Sequence, residues 1–139
     1  MNKYFLLTLT LFLTQLNAAD FSNKADWALT TEAWKAFVKK DHAEVLAYTN
    51  KCIELYAKKA DKHQAAILAG NFENEKSQAV NFVATCMLIQ AQSCTQQGEK
   101  EKAKGLYKQI IEKYPAAIVS DKNGTWSVHK AAKKKLGEL

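Results

Sequence analysis

Three cysteines, three histidines and a scatter of acidic residues are the side chains through which this chain could do covalent, metal or acid–base chemistry. The histidines are His42, His63 and His129, and no Cys/His/Asp spacing around them matches a metal motif. Packing beside a turn is the role expected of His42. No Gly-x-Ser-x-Gly nucleophile elbow occurs. Glycoside hydrolysis needs two carboxyl groups about 5–10 Å apart across a sugar site. The closest acidic pair on a predicted loop is Glu73 and Glu75. An exposed tip gives that pair nothing to raise a pKa or exclude water. The sequence therefore predicts no catalytic residue, no cofactor, no metal ligand and no enzyme.

The cysteines are Cys52, Cys86 and Cys94. Cys86 and Cys94 are eight residues apart, about 12 Å of helical rise, whereas a disulfide needs Cα atoms about 4.4–6.8 Å apart. Any intramolecular bridge must use Cys52, with Cys86 or with Cys94. The simpler expectation is three small buried apolar residues.

The elements that position these side chains read as helices. Of 139 residues, 47% are hydrophobic and 24% charged, with 5 Gly and 1 Pro. That is too little punctuation for a sandwich or barrel. Ala, Leu, Lys, Glu and Gln dominate, all strong helix formers, so the expected class is all-α in one domain. The net charge is +6, carried wholly by lysine, since the chain contains no arginine. Bidentate reading of guanine or phosphate uses the arginine fork, so no nucleic-acid partner is expected. Lys133-Lys134-Lys135 reads as a solvated helix face.

Lys3 precedes an uncharged stretch from Tyr4 to Leu16, and Asn17-Ala18 follows with a small residue. That order matches a secretory signal over residues 1–18. A membrane anchor would need roughly 20 apolar residues, and this stretch is shorter and contains Thr8, Thr10, Thr14 and Gln15. The expectation is an exported protein, periplasmic or secreted, with residues 19–139 as the mature domain and no membrane span after cleavage.

An internal repeat organises that domain. Lys51-Cys52-Ile53-Glu54-Leu55-Tyr56 aligns with Gln109-Ile110-Ile111-Glu112-Lys113-Tyr114 at a shift of 58, which also sets Asp41 on Glu99, Val45 on Ala103 and Ala33 on Ala91. Each copy reads as a helical hairpin. Ala103, Leu106, Tyr107, Ile110, Ile111 and Tyr114 form an amphipathic stripe, echoed by Val45, Tyr48, Thr49, Cys52, Ile53 and Tyr56. Gln97-Gly98-Glu99 breaks the second hairpin and Pro115 stops it. Between the copies, lengthened helices form a hairpin that projects past the stack, with Phe72 at its tip. Residues 116–123 read as a connection and Thr125 as an N-cap, with Trp126, Ala132 and Leu136 on the buried side of a last helix. The predicted helices are 27–40, 43–69, 75–97, 100–114 and 125–137.

Ala91, Gly98, Ala103, Tyr107, Ile110 and Pro115 resemble the tetratricopeptide repeat pattern of small residue, turn glycine, Ala, aromatic, apolar residue and closing Pro. Ala33, Phe37, Asp41, Val45 and Cys52 make a more degenerate copy, with Thr49 in the aromatic place and Ala57 in that of the proline. The resemblance covers residues 26–57 and 84–115. It implies two helical-hairpin repeats of about 34 residues each, closed by a C-terminal capping helix. It also implies a groove lined by the first helices: Trp27, Thr30, Trp34 and Val38 in one repeat, Thr85, Leu88, Gln92 and Gln96 in the other. A protein or peptide partner would lie there. Trp27 and Trp34 share a face and are of the usual anchor type, although both could instead cover the open end of the core. The alternatives are a self-assembling homodimer or a glycan-associated, hydrolytic protein.

Overall fold

The computed structural model describes residues 18–71 and 78–139. The predicted signal segment through residue 17, Phe72, the Glu73/Glu75 pair and the predicted start of the third helix at 75 lie outside the described residues. Among the described residues, five helices run in chain order with one short hairpin between the last two. They are α1 (Asp26–Val38), α2 (His42–Leu68), α3 (Ala79–Gln96), α4 (Lys100–Lys113), β1 (Ile118–Asp121), β2 (Gly124–Ser127) and α5 (Val128–Gly137). The fold is all-α, and no described helix is long and apolar enough to cross a membrane.

The turns that end α1 and α3 follow from their local sequence. After α1, Lys39 N–H reaches Lys35 O, Lys40 N–H reaches Phe37 O and Asp41 N–H reaches Ala36 O. After α3, Gln97 reaches Ser93, Gly98 reaches Thr95 and Glu99 reaches Cys94 through the same groups. These three bonds recur at the shift of 58. Both turns are Schellman closures, which place one residue in the left-handed region. That residue is Gly98 at φ 76° and Lys40 at φ 59°. Asp41 then caps α2 by accepting from the Glu44 amide at 3.0 Å.

Small side chains let the helices approach closely. Ala33, Ala36, Ala60, Ala84, Ala91, Ala103 and Ala132 are all buried, with Leu29, Val45, Leu88, Ile89, Tyr107 and Ile110 filling the space between. α3 is the hub: it packs on α1, α2, α4 and α5 and touches β1. Its run Val83–Ile89 is accordingly buried on every side.

Two expectations are corrected. The late part of α2 does not project. Ala60, His63 and Gln64 are buried, Asp61 accepts the Tyr114 hydroxyl at 2.8 Å, and Gln64 Oε1 accepts the Ala116 amide at 3.1 Å. Burial and then the Asp61 hydrogen bond push the Tyr114 phenol well up from its ordinary value. The extension thus covers the chain leaving α4. The second correction concerns residues 118–127, which form an antiparallel hairpin pairing Ile118 with Ser127 and Asp121 with Gly124. Thr125 and Trp126 belong to β2, and α5 is capped by Ser127, whose hydroxyl accepts from Lys130 N–H at 3.2 Å.

Candidate functional site

The cleft begins with one face of α1. Trp27, Thr30, Thr31 and Trp34 follow the three- and four-residue spacing that keeps side chains on one side of a helix, and all four line a cavity of about 370 Å³. The start of α3 supplies the opposite wall through Gln78, Asn81, Phe82 and Thr85, and β1 closes it with Ile118, Val119 and Ser120. Trp27 is 55% exposed and stands at the mouth. It also borders a second cavity lined by Asp20, Glu32 and Lys35, so its indole is the ridge between two depressions. Trp34 is half-buried and meets the Phe37 ring edge-on, with centroids 5.7 Å apart.

Among the described residues, none that lines this cleft is ionisable. Its polar groups are hydroxyls, carboxamides and backbone. Thr30, Thr31 and Thr85 donate to the carbonyls of Asp26, Trp27 and Asn81 at 2.8, 2.8 and 2.7 Å. Their oxygens keep acceptor capacity. Asn81 Oδ1 accepts from Ile118 N–H at 2.9 Å.

The hairpin register decides where the β1 backbone points. Val128 N–H reaches Ala117 O at 3.0 Å, so hydrogen-bonded pairs alternate from 117/128 through 119/126 to 121/124. Ile118 and Ser120 are the intervening residues. Their N–H and C=O groups face away from β2, toward Asn81 and the cleft. Asn81 takes the Ile118 N–H, so this short strand edge offers the Ile118 carbonyl and the Ser120 N–H and carbonyl along a cleft flanked by aromatic rings.

Of the residues expected in the groove, Trp27, Thr30, Trp34 and Thr85 come together here, the two threonines as its nearly closed floor. Leu88 does not belong to the groove. It is 1% exposed and part of the core, because α3 is packed on all sides at that level. Val38 is 78% exposed on the last turn of α1. Gln92 is half-buried and Gln96 exposed, both farther along α3. None of these three lines the cleft. Sequence reasoning missed β1 and Asn81. The local signal for the hairpin was Asn123-Gly124 at the turn after Ile118-Val119, with Gly124 at φ 115°.

The three cysteines are buried free thiols. Cys52 and Cys86 meet in the core, where Cys86 Sγ also lies 3.3 Å from Thr30 Oγ1. Contact with Cys52, and then burial, push the Cys86 thiol well above its ordinary value. It stays protonated and inert near neutrality. Comparison of the chain with family models, with curated proteins and with solved structures finds no match.

Proposed function

We propose that this is a non-enzymatic, exported helical-repeat protein of the tetratricopeptide type that recognises another protein in the cell envelope or outside the cell. The cleft between α1, α3 and β1 would hold an extended peptide segment of that partner. The observation that carries this reading is the cleft itself: an exposed tryptophan, neutral hydrogen-bonding side chains and an open strand edge on one cavity. An extended peptide presents donors and acceptors that a free edge pairs, while rings and pockets take its alternate side chains. Among the described residues the lining is neutral, which suits hydrogen bonding to a peptide backbone better than it suits a charged ligand, whose desolvation those residues would leave uncompensated. The repeat reading draws support from the two turns, which share three hydrogen bonds at one shift. Export is supported by the signal-like first 18 residues.

The test is capture of a partner from the native envelope and medium by the wild-type protein, Trp27→Ala and Ser120→Pro. The proline removes an edge N–H that β2 does not use, a change edge strands tolerate, and with it the Ser120 hydroxyl that pairs with Thr125 Oγ1 at 2.8 Å, for which Ser120→Ala is the control. The expected result is loss of the same captured protein with both variants at unchanged helicity. Equal capture by all three forms would remove the cleft from consideration. The alternative, self-assembly, makes Trp27 and the exposed Ile118 a contact between copies. A solution mass that falls from dimer to monomer in Trp27→Ala would favour it.

A further inference from the structure

At the far end of α3 from the cleft, about 13 Å beyond Thr85 by helical rise, three side chains distant in sequence converge. His42 is the first residue of α2, Cys94 lies near the end of α3, and Glu99 precedes α4. One ligand atom of each, an imidazole nitrogen, the Cys94 Sγ and a Glu99 carboxylate oxygen, lies within 4.8 Å of the other two. We propose that this trio is a transition-metal site that takes Zn²⁺ or a similar borderline divalent cation and leaves one coordination position open to the surface.

The donor set carries the argument first. A thiolate, an imidazole and a carboxylate together suit zinc and its neighbours, whereas magnesium and calcium take oxygen ligands. Bonds of about 2.0–2.3 Å put tetrahedral ligand atoms about 3.3–3.8 Å apart. Closing the present spacing takes a movement of about 1 Å, which the half-buried His42 and Glu99 side chains can supply by small rotations. The second argument is orientation. His42 Nδ1 lies 2.7 Å from Ser93 Oγ, and a metal-bound imidazole is usually held in this way through its other nitrogen. Nε2 is then the nitrogen left for the metal.

Charge is the third argument. The Lys102 ammonium pairs with the Glu99 carboxylate, so a cation already sits against this carboxylate. The Lys102 side chain is 72% exposed and can swing into solvent at little cost. When the dication binds, the Cys94 S–H bond breaks, the proton leaves to solvent and the sulfur forms the metal bond. A dication with one thiolate, one carboxylate and a neutral imidazole is uncharged overall, which makes a partly buried position inexpensive. The site also gives the odd cysteine a role, since Cys52 and Cys86 contact each other. It would clamp the α3–α4 turn to the start of α2.

The experiment uses the purified, reduced, chelator-treated chain titrated with Co²⁺ and then with Zn²⁺. The expected result is one equivalent of cobalt with a thiolate-to-cobalt charge-transfer band and the intense visible bands of a tetrahedral site, both erased by zinc. Cys94→Ser should abolish the charge-transfer band and Cys52→Ser should leave it. His42→Ala and Glu99→Gln should each weaken zinc binding by more than about 10-fold, the loss even an outer-shell partner gives. Circular dichroism checks each fold, and the partly exposed Glu99→Gln keeps the test decisive if Cys94→Ser fails to fold. Absence of the band, its survival in Cys94→Ser, its loss in Cys52→Ser, or zinc affinity unchanged in Glu99→Gln would each overturn the assignment.

Discussion

At the scale of single residues, burial separates side chains that periodicity treats alike. Trp27 and Leu88 both fall on faces that family likeness assigns to a groove, yet one is 55% and the other 1% exposed. Trp27→Ala should therefore leave stability within about 0.5 kcal/mol of wild type while abolishing the peptide binding proposed for the cleft. Leu88→Ala should cost about 2–5 kcal/mol, as core truncations do. Denaturant titration of both variants checks the contrast. Asp121 offers a pH reading. Its carboxylate accepts the Trp126 indole N–H at 3.0 Å and the Asn123 amide at 2.7 Å. The indole, then the amide, hold its pKa below the ordinary aspartate value. A depressed folded pKa means that the contribution is complete above the ordinary value and is lost as pH falls through the lower folded one. The Trp126 indole N–H resonance should shift on acidification with a midpoint below the ordinary aspartate range. In Asp121→Ala that titration should vanish.

At the scale of elements, the two Schellman turns differ where chemistry makes the outcome calculable. Gly98 and Lys40 share the left-handed conformation, which costs a residue bearing a Cβ about 1–2 kcal/mol. Nothing lies within 4 Å of a Cβ built at Gly98, so Gly98→Ala should lose about 1 kcal/mol through backbone strain alone. Lys40→Gly should gain up to about 1 kcal/mol by relieving the same strain, less the added freedom of the unfolded chain. Thermal unfolding of the pair measures both signs. These turns were legible because helix endings are written locally, in Gly98, Asp41 and Pro115. The four helices through Lys113 were legible from their apolar stripes for the same reason. The hairpin was not, because a two-stranded ribbon is marginal by itself. This one rests on tertiary support from Asn81 Oδ1 and from Val119 and Trp126 packed on the core. Trp126, Ala132 and Leu136 also fit a helical spacing, which hid the strand behind a plausible helix start. The cleft inherited that blind spot, since its third wall is β1.

At the scale of the whole molecule, the question is whether two hairpins behave as two units. Repeat stacks unfold piecemeal when each repeat touches only its neighbours, and two repeats fall short of the three or so that normally suffice. Here α3 packs on α1, α2, α4 and α5, and the long α2 reaches past its own hairpin to hold Tyr114 and Ala116. Neither half keeps a closed core when the other opens. Loss of α1 would bare the faces of α2 and α3 that it covers, and loss of α5 would bare those it covers on α3 and α4. The expected behaviour is one cooperative transition. Far-ultraviolet circular dichroism reports all the helices. In a Trp27→Phe/Trp34→Phe background, fluorescence reports only Trp126 beside α5. The two denaturant curves should coincide, with one midpoint and one slope. A fluorescence change that completes while most helicity remains would mean that the C-terminal part opens alone, and that α2 does not bind the halves together. The same coupling places the cleft on three elements of one core. Tyr114→Phe, which removes the hydroxyl that Asp61 accepts, should lower the shared transition by about 0.5–1.5 kcal/mol without separating the two curves, although Tyr114 lies outside the cleft.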